Sequence, residues 1–263
     1  MENLRPGMFD QDRLERSKRI SWLDMDGIAG TKCLVVGAGA LGNEVVKNLV
    51  LSGFKNIELV DMDHVVRSNL NRCVFFREGD AEQKLMKSKI VTTRAAELDP
   101  TSTVVPSIAR IETYDVERFQ SFDIVLGCLD NIAARLHVNS HSFLARRPYI
   151  DGGTNGFMGK VQVVIPPDTP CLQCTMNRTH YRVIEKRFSC TGANVSYFEP
   201  RMPAEITTTS VIAAIQVREA LKLASDKADK CIRNVMFYDG LNGTSDQFEA
   251  DIDPDCPMHE RYP

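Results

Sequence analysis

Lys32-Cys-Leu-Val-Val-Gly-Ala-Gly-Ala-Leu-Gly42 is the stretch on which the fold turns. A short apolar run ends at Gly37, two further glycines follow at Gly39 and Gly42, and apolar residues then recur at helical spacing through Leu51. The pattern reads as strand, tight turn and helix. Asn56-Ile-Glu-Leu-Val-Asp61 follows as a second strand with an acid at its carboxyl end, which completes a βαβ unit. Glycines let the backbone approach phosphate oxygens, and the helix N-terminus adds N–H donors and partial positive charge. Asp61, 19 residues beyond Gly42, is spaced to meet a ribose. These features specify a nucleotide. An NAD-dependent oxidoreductase would present the same loop.

Outward from this unit, strand and helix alternate. A helical pattern runs from about Ala81 to Leu98, a strand from about Val104 to Ile108, and a buried strand over Phe122 to Cys128. A helix from about Ile132 to Leu144 precedes a strand at Pro148 to Asp151. Lys160 to Ile165 alternates less cleanly before Pro166-Pro167, as an antiparallel extension does. Residues 168–205 hold prolines and cysteines without a period and read as a long crossover loop with a function. Thr209 to Leu223 is an amphipathic helix and Arg233 to Tyr238 a strand, while Asp251 to Pro263 is a polar tail that frays unless something ties it down. The expected fold is α/β: a Rossmann-like, mostly parallel sheet with helices on both faces, an antiparallel extension and a zinc-clamped C-terminal segment, all in one domain over residues 1–263.

Composition narrows the function classes. The 263 residues are 43% hydrophobic with a formal net charge of -3, and Lys and Arg are scattered, so no basic footprint for nucleic acid is present. No apolar run approaches the ~18 residues of a membrane span, and the charged segment Met1 to Ile20 lacks a secretory apolar stretch. A cytoplasmic protein that binds neither nucleic acid nor membrane is expected. Eight cysteines are too sparse for a secreted disulfide framework.

Several residues carry chemistry beyond nucleotide binding. Arg67-Ser-Asn69-Leu-Asn71-Arg72 follows Asp61 closely, and Lys89 comes soon after. Attack on an α-phosphate builds charge that Arg and Lys offset, so these cations favour ATP chemistry over hydride transfer. Each alone reads equally well as part of a solvated helix face. Asp130-Asn131 lies at the carboxyl edge of the sheet, where one carboxylate suffices for Mg2+; Asp130 also reads as the cap of the helix beginning near Ile132. Cys171-Leu-Gln-Cys174 and Cys256-Pro-Met-His259 are two close pairs of soft ligands suited to tetrahedral Zn2+. A lone C-x-x-C would also fit a redox motif. Cys33, Cys73, Cys128 and Cys231 read as buried, inert thiols. Cys190, in Arg187-Phe-Ser-Cys190-Thr191-Gly192, has cationic neighbours that favour a thiolate nucleophile.

Gly37-Ala-Gly-Ala-Leu-Gly42, Asp61-Met-Asp63, Ser68-Asn-Leu-Asn-Arg72, Lys87-Ser-Lys89, Leu129-Asp-Asn131, Ile150-Asp-Gly-Gly153 and the paired cysteines together resemble the ubiquitin-activating enzyme superfamily. Its simpler members are the ThiF-type adenylyltransferases of molybdopterin and thiamine biosynthesis. Leu51-Ser-Gly-Phe54, Phe188-Ser-Cys-Thr191 and Thr207-Thr-Thr-Ser-Val-Ile-Ala213 resemble the catalytic subunits for SUMO and Nedd-type modifiers. The resemblance implies ribose binding by Asp61, phosphate binding by Asn69, Arg72 and Lys89, Mg2+ at Asp130, and an acyl thioester on Cys190. It also implies a homodimer in which Arg16 or Arg19 of one copy enters the ATP site of the other.

The larger relatives carry an insert after the cysteine and a ubiquitin-like domain, neither of which is expected here, and adenylation needs neither. The activity implied is adenylation of the C-terminal glycine of a β-grasp, ubiquitin-like protein ending in Gly-Gly, followed by thioester formation on Cys190 and engagement of a ubiquitin-conjugating enzyme. The alternative is a sulfur-carrier adenylyltransferase in which Cys190 forms no thioester.

Overall fold

The computed structural model describes residues 12–176, 203–232 and 235–260. Two short helices, α1 (Glu15–Lys18) and α2 (Met25–Gly30), lead into β1 (Lys32–Val36), α3 (Ala40–Leu51) and β2 (Asn56–Val60). After α4 (Glu78–Glu82) and α5 (Lys87–Leu98) come β3 (Thr103–Ser107), α6 (Val116–Gln120), β4 (Ile124–Gly127) and α7 (Ile132–Leu144). The hairpin of β5 (Tyr149–Asn155) and β6 (Met158–Val164) follows, then α8 (Ile206–Ala224), β7 (Val235–Asp239), β8 (Thr244–Phe248) and α9 (Pro257–Glu260). All eight described strands form one sheet in the order β3-β2-β1-β4-β5-β6-β7-β8. Strands β1 to β5 pair in parallel, while β5-β6, β6-β7 and β7-β8 are antiparallel.

The apolar run of β1 is continuous because both faces of that strand are covered. Cys33 and Val35 join a core with α3, α5 and α8, whereas Leu34 and Val36 join a second core with α6 and α7. Full burial of each such Leu or Val side chain is worth roughly 1.5–3 kcal/mol. This sandwich fixes the carboxyl ends of β1, β2 and β4 side by side, and the strand order reverses between β1 and β4. Open α/β sheets bind ligands outside that reversal.

Four local expectations differ from the structure. The helix expected over Ala81 to Leu98 is two helices, α4 and α5, separated by a reversal in which Lys84 has φ 49°. Asp80 is the cause: its carboxylate accepts from the Arg77 N–H and pairs with Arg94 of α5, folding the short helix back on the long one. The strand at Pro148 to Asp151 continues to Asn155, because Gly156 turns it directly into β6. The helix expected from Thr209 starts at Ile206, where Glu205 accepts hydrogen bonds from the Thr207 and Thr208 N–H groups. Strand β8 gave no sequence signal, since all five of its residues are exposed and no core face marks its period. Among the described residues no helix is long and apolar enough to cross a membrane.

Candidate nucleotide and zinc sites

The glycine loop closes because two positions admit no side chain. Gly37 has φ 101°, in the left-handed region, and a Cβ there would lie 2.6 Å from the Cys128 carbonyl oxygen. A Cβ on Gly42 would lie 1.8 Å from the Gly37 oxygen. The loop is therefore pressed against both the start of α3 and the end of β4. The Ala38 N–H donates to Asp61 Oδ2 at 2.7 Å and the Asp63 N–H to Asp61 Oδ1 at 2.7 Å, so Asp61 ties the end of β2 to the loop. Burial raises the Asp61 pKa, against the opposing pull of Lys87 and these two N–H donors.

Asn43 is a residue that sequence reasoning missed. It is fully buried, its amide donates to the Ala38 and Gly39 carbonyls at 2.9 Å, and its oxygen accepts from the Phe75 N–H at 3.1 Å. Asn43 thus fastens the loop to the segment that carries Arg72. The available signal was an amide one residue past Gly42 in a largely apolar helix.

Asn69 and Arg72 lie in a turn that largely bonds to itself. Asn69 Oδ1 accepts from the Val66 N–H at 3.2 Å, and the half-buried Arg72 donates to the Ser68 carbonyl and, at 3.0 Å, to Asn71 Oδ1. Helix α5 is tied to the end of β2 by Ser88 Oγ donating to the Asp61 carbonyl at 3.1 Å and by the Lys87–Asp63 ion pair at 2.8 Å. Lys89 stands in the first turn of that helix, exposed and without an ion pair among the described residues. The Cys73 thiol, pushed up to about 11 by burial, feels the charges of Arg72, Lys87, Glu44 and Asp61 together. The structure therefore brings the Arg72 turn into the neighbourhood of Asp61.

At the end of β4 the structure removes the cap reading of Asp130. Asn131 caps α7, its Oδ1 accepting from the Ala134 N–H at 2.8 Å, and Asp130 is exposed with no hydrogen bond or ion pair among the described residues. The carboxylate is thus free to meet a ligand. Behind it lies a second missed residue, Arg135. Its guanidinium donates to the Leu129 carbonyl through Nε at 3.0 Å and Nη2 at 2.6 Å, to the Gly152 carbonyl at 3.0 Å, and pairs with Asp151 at 3.0 Å. The Tyr149 hydroxyl donates to the other Asp151 oxygen at 2.8 Å. A half-buried charge so fully bonded holds the backbone just before Asp130 in place.

Two distant segments meet at the second site. Cys171, Cys174, Cys256 and His259 place four ligand atoms within 4.8 Å of one another. The Sγ atoms of Cys171 and Cys174 are 3.9 Å apart, those of Cys171 and Cys256 3.7 Å, and Cys174 Sγ lies 3.6 Å from His259 Nδ1. Tetrahedral Zn2+ with Zn–S near 2.3 Å and Zn–N near 2.0 Å requires edges of about 3.8 and 3.6 Å. The donor set fits zinc. Cys171 lies on a loop gripped by Gln162, whose amide donates to the Pro170 and Cys171 carbonyls at 3.2 and 3.3 Å, and by Asn139, which accepts from the Leu172 N–H at 2.9 Å. The Nε2 of His259 faces the Thr169 carbonyl at 3.3 Å, which leaves Nδ1 for a metal. The tail expected to fray is anchored here, with Cys256 2% exposed.

Arg16 lies far from its own glycine loop. Arg13 beside it bonds the Leu98 carbonyl and Asp99, and Leu14 approaches Gly53, which puts α1 at the amino edge of the parallel strands, about 17 Å of strand away from the loop. Cys190 lies outside the described residues, as does most of the 168–205 crossover. Cys33, Cys73, Cys128 and Cys231 are buried as expected, and burial raises every one of their thiols.

Fold and loop together define a nucleotide-binding α/β protein with an antiparallel extension and a cysteine-histidine cluster. The chain belongs to the ThiF family, whose model matches residues 12–258. The resemblance to the ubiquitin-activating superfamily, and within it to Nedd- and SUMO-type catalytic subunits, is borne out by its relatives. It is 38% identical over 158 residues to the NEDD8-activating enzyme E1 catalytic subunit of Arabidopsis thaliana, covering 55% of this chain and 34% of that one. It is 27% identical over 252 residues to the corresponding subunit of Schizosaccharomyces pombe, covering 94% and 53%. It is 39% identical over 152 residues to SUMO-activating enzyme subunit 2 of Dictyostelium discoideum, covering 57% and 22%. The chain thus spans about half or less of these relatives' lengths. The crystal structure of E. coli MccB with ATP superposes with a TM-score of 0.76 at 19% identity, over 97% of this chain and 76% of that one, a likeness of fold.

Proposed function

We propose that residues 1–263 act as one ATP-dependent adenylation unit for the C-terminal glycine of a ubiquitin-like, β-grasp protein. The observation that carries this reading is the junction of Gly37, Asp61 and the end of β4: one loop is bonded to an acid suited to ribose and pressed against the strand that presents Asp130, unpaired among the described residues. The ThiF family and the names of the relatives support the choice of reaction.

In this reading the ribose of ATP meets Asp61, and its phosphates meet the N–H groups of the Gly37-x-Gly39-x-x-Gly42 loop, Asn69, Arg72 and Lys89. A terminal carboxylate oxygen attacks the α-phosphorus, the bond to the bridging oxygen breaks, and pyrophosphate leaves. Holding both reactants in line makes the step nearly unimolecular, and the cations offset charge that grows in the transition state. Asp130 would hold Mg2+, which supplies further neutralisation of the polyphosphate, while Asn131 beside it caps α7. Zn2+ held by Cys171, Cys174, Cys256 and His259 fills all four positions, so its role is structural.

The reading extends to a thioester on Cys190: the thiolate attacks the acyl carbon of the adenylate, and AMP leaves. It also includes a cytoplasmic location, transfer to a ubiquitin-conjugating enzyme, and a homodimer. Because Arg16 stands at the amino edge of its own sheet, only a partner copy can supply it to the ATP site.

The test is ATP-pyrophosphate exchange with purified protein and a panel of β-grasp proteins ending in Gly-Gly. Carrier-dependent exchange supports adenylation, and its absence with every carrier refutes it. A thiol-labile adduct on a non-reducing gel, lost in Cys190→Ala while exchange survives, separates thioester formation from sulfur-carrier adenylation.

A further inference from the structure

Among the described residues Lys160 forms no ion pair. It sits in β6 opposite Gly153 of β5 and Phe237 of β7, and strand alternation puts it on the α7 face, with Asp151 and Arg135. On that face a Cβ at Gly153 would lie 2.6 Å from the Arg135 Nη2. Lys160 is half-buried, and its ammonium makes no hydrogen bond or ion pair among the described residues. The charge of Asp151 reaches Lys160 but no ion pair forms between them; the Asp151 oxygens are bonded by Tyr149 and Arg135 instead. Burial accordingly lowers the Lys160 pKa, with Asp151 pulling the other way and Arg135 adding to the lowering. Two cations thus share one carboxylate already in use, and a desolvated, unpaired ammonium is costly unless an anion joins it.

Position selects the anion. Asp151 is paired in register with Gly127, the last residue of β4, and Asp130 follows that strand. Lys160 therefore flanks the Asp130 end of β4 from the β6 side. The glycine loop and Asp61 belong to β1 and β2 on the other side of β4, and β6 is three strand spacings, about 14 Å, from β1. The glycine loop and Asp61 thus lie on one side of the Asp130 end of β4, and Lys160 lies on the other. Beyond Lys160 on the same face lie Phe237 and Phe248, 39% and 56% exposed and in edge-on contact at 5.4 Å, a lining suited to polypeptide rather than to a free inorganic anion.

We infer that Lys160 receives the terminal carboxylate of the polypeptide substrate and holds it beside Asp130 before adenylation. This rests on the adenylation reading given above. Charge-assisted hydrogen bonds in a desolvated site are the strong ones, so the cation selects a free carboxylate over a neutral chain end.

The experiment compares wild type, Lys160→Met and Lys160→Arg in carrier-dependent exchange, with Tm and zinc content as folding controls. The expected result is a carrier KM at least about tenfold higher in Lys160→Met, with the KM for ATP unchanged and with Lys160→Arg retaining most of the wild-type value. A second measurement needs no turnover: binding of the same carrier, prepared with a free C-terminal carboxylate and with a C-terminal amide, in the absence of ATP. Wild type should prefer the acid and Lys160→Met should bind both alike. Lys160→Met that keeps the preference for the acid overturns the inference, and so does a rise in the KM for ATP, which would assign the lysine to phosphate. Exchange by Lys160→Met with an unchanged carrier KM removes only this inference. No exchange by the wild-type protein removes the adenylation reading and this inference with it.

Discussion

The parallel half of the sheet, β1 to β5, and the antiparallel half with its cysteine-histidine cluster are assembled in different ways. In the first half the site is built by near neighbours in sequence: Gly37 to Asn43 bond one another and meet Asp61 23 residues from Ala38. In the second half Cys171 and Cys256 meet across 85 residues, and the grip on their loop comes from β6 and α7. Local hydrogen bonding settles the first arrangement with little chain entropy to overcome. The second closes a long loop, a cost that Zn2+ bound at the cluster would offset. The nucleotide half should therefore tolerate loss of the metal, while the tail should not.

The largest effect tests that division. Chelation of zinc, or Cys256→Ser, should cost on the order of 3–5 kcal/mol and lower the Tm by on the order of 10 °C. Limited proteolysis should then cut within residues 251–260 while ATP binding, followed by calorimetry, survives. Simultaneous loss of both would show that the halves are one cooperative unit.

Gly42→Ala sharpens the other side of the comparison. Its Cβ would press on the Gly37 carbonyl at 1.8 Å, and backbone on both sides has to move. A loss of about 3 kcal/mol in urea unfolding and of ATP binding is expected. Gly39→Ala, where a Cβ meets nothing within 4 Å, should unfold within about 0.5 kcal/mol of wild type.

Asp99 probes an exception, a long-range ionic tie within the parallel half. Its carboxylate, 1% exposed, pairs with Arg13 at 2.8 Å and Lys55 at 2.6 Å. Burial works to raise its pKa, but Lys55 and Thr101 outweigh it and hold the carboxyl well below the usual range. A depressed folded-state pKa contributes stability above the unfolded value of 3.8, and that contribution is lost as the pH falls towards the folded value. Asp99→Asn should therefore cost about 2 kcal/mol at pH 7, with the difference from wild type shrinking in acid unfolding measured below about pH 3. A constant difference across that range would dismiss the ionic account.

The smallest effect is at the cap of α7. Asn131→Ala removes one side-chain acceptor and should cost about 1 kcal/mol in urea unfolding. Since Asp130 takes no part in the cap, the metal dependence of exchange should change little. A large change would tie the two residues into one device.

The legible part of the site was the part with a local signature. The glycine spacing, the acid after β2 and the acid after β4 each follow from a turn or strand end that sequence marks directly. Asn43, Arg135 and Gln162 were not legible, because a polar residue in a helix or strand gives no sign of which remote backbone group it will meet. Strand β8 escaped for a related reason: an edge strand exposed at every residue has no alternation to detect. Asp80 broke an expected helix because its partner Arg94 lies 14 residues away, on the helix against which α4 folds.

By itself the sequence determined the class of fold, the nucleotide loop and the two Cys/His pairs that could hold a metal, because each depends on spacing within one turn or one element. Only the tertiary structure decided that Asn131 and not Asp130 caps α7, that Arg16 stands at the opposite edge from its own loop, and that Lys160 forms no ion pair among the described residues. Those facts depend on which groups are already bonded and which are left over, and that sum is complete only when every strand and helix is in its place.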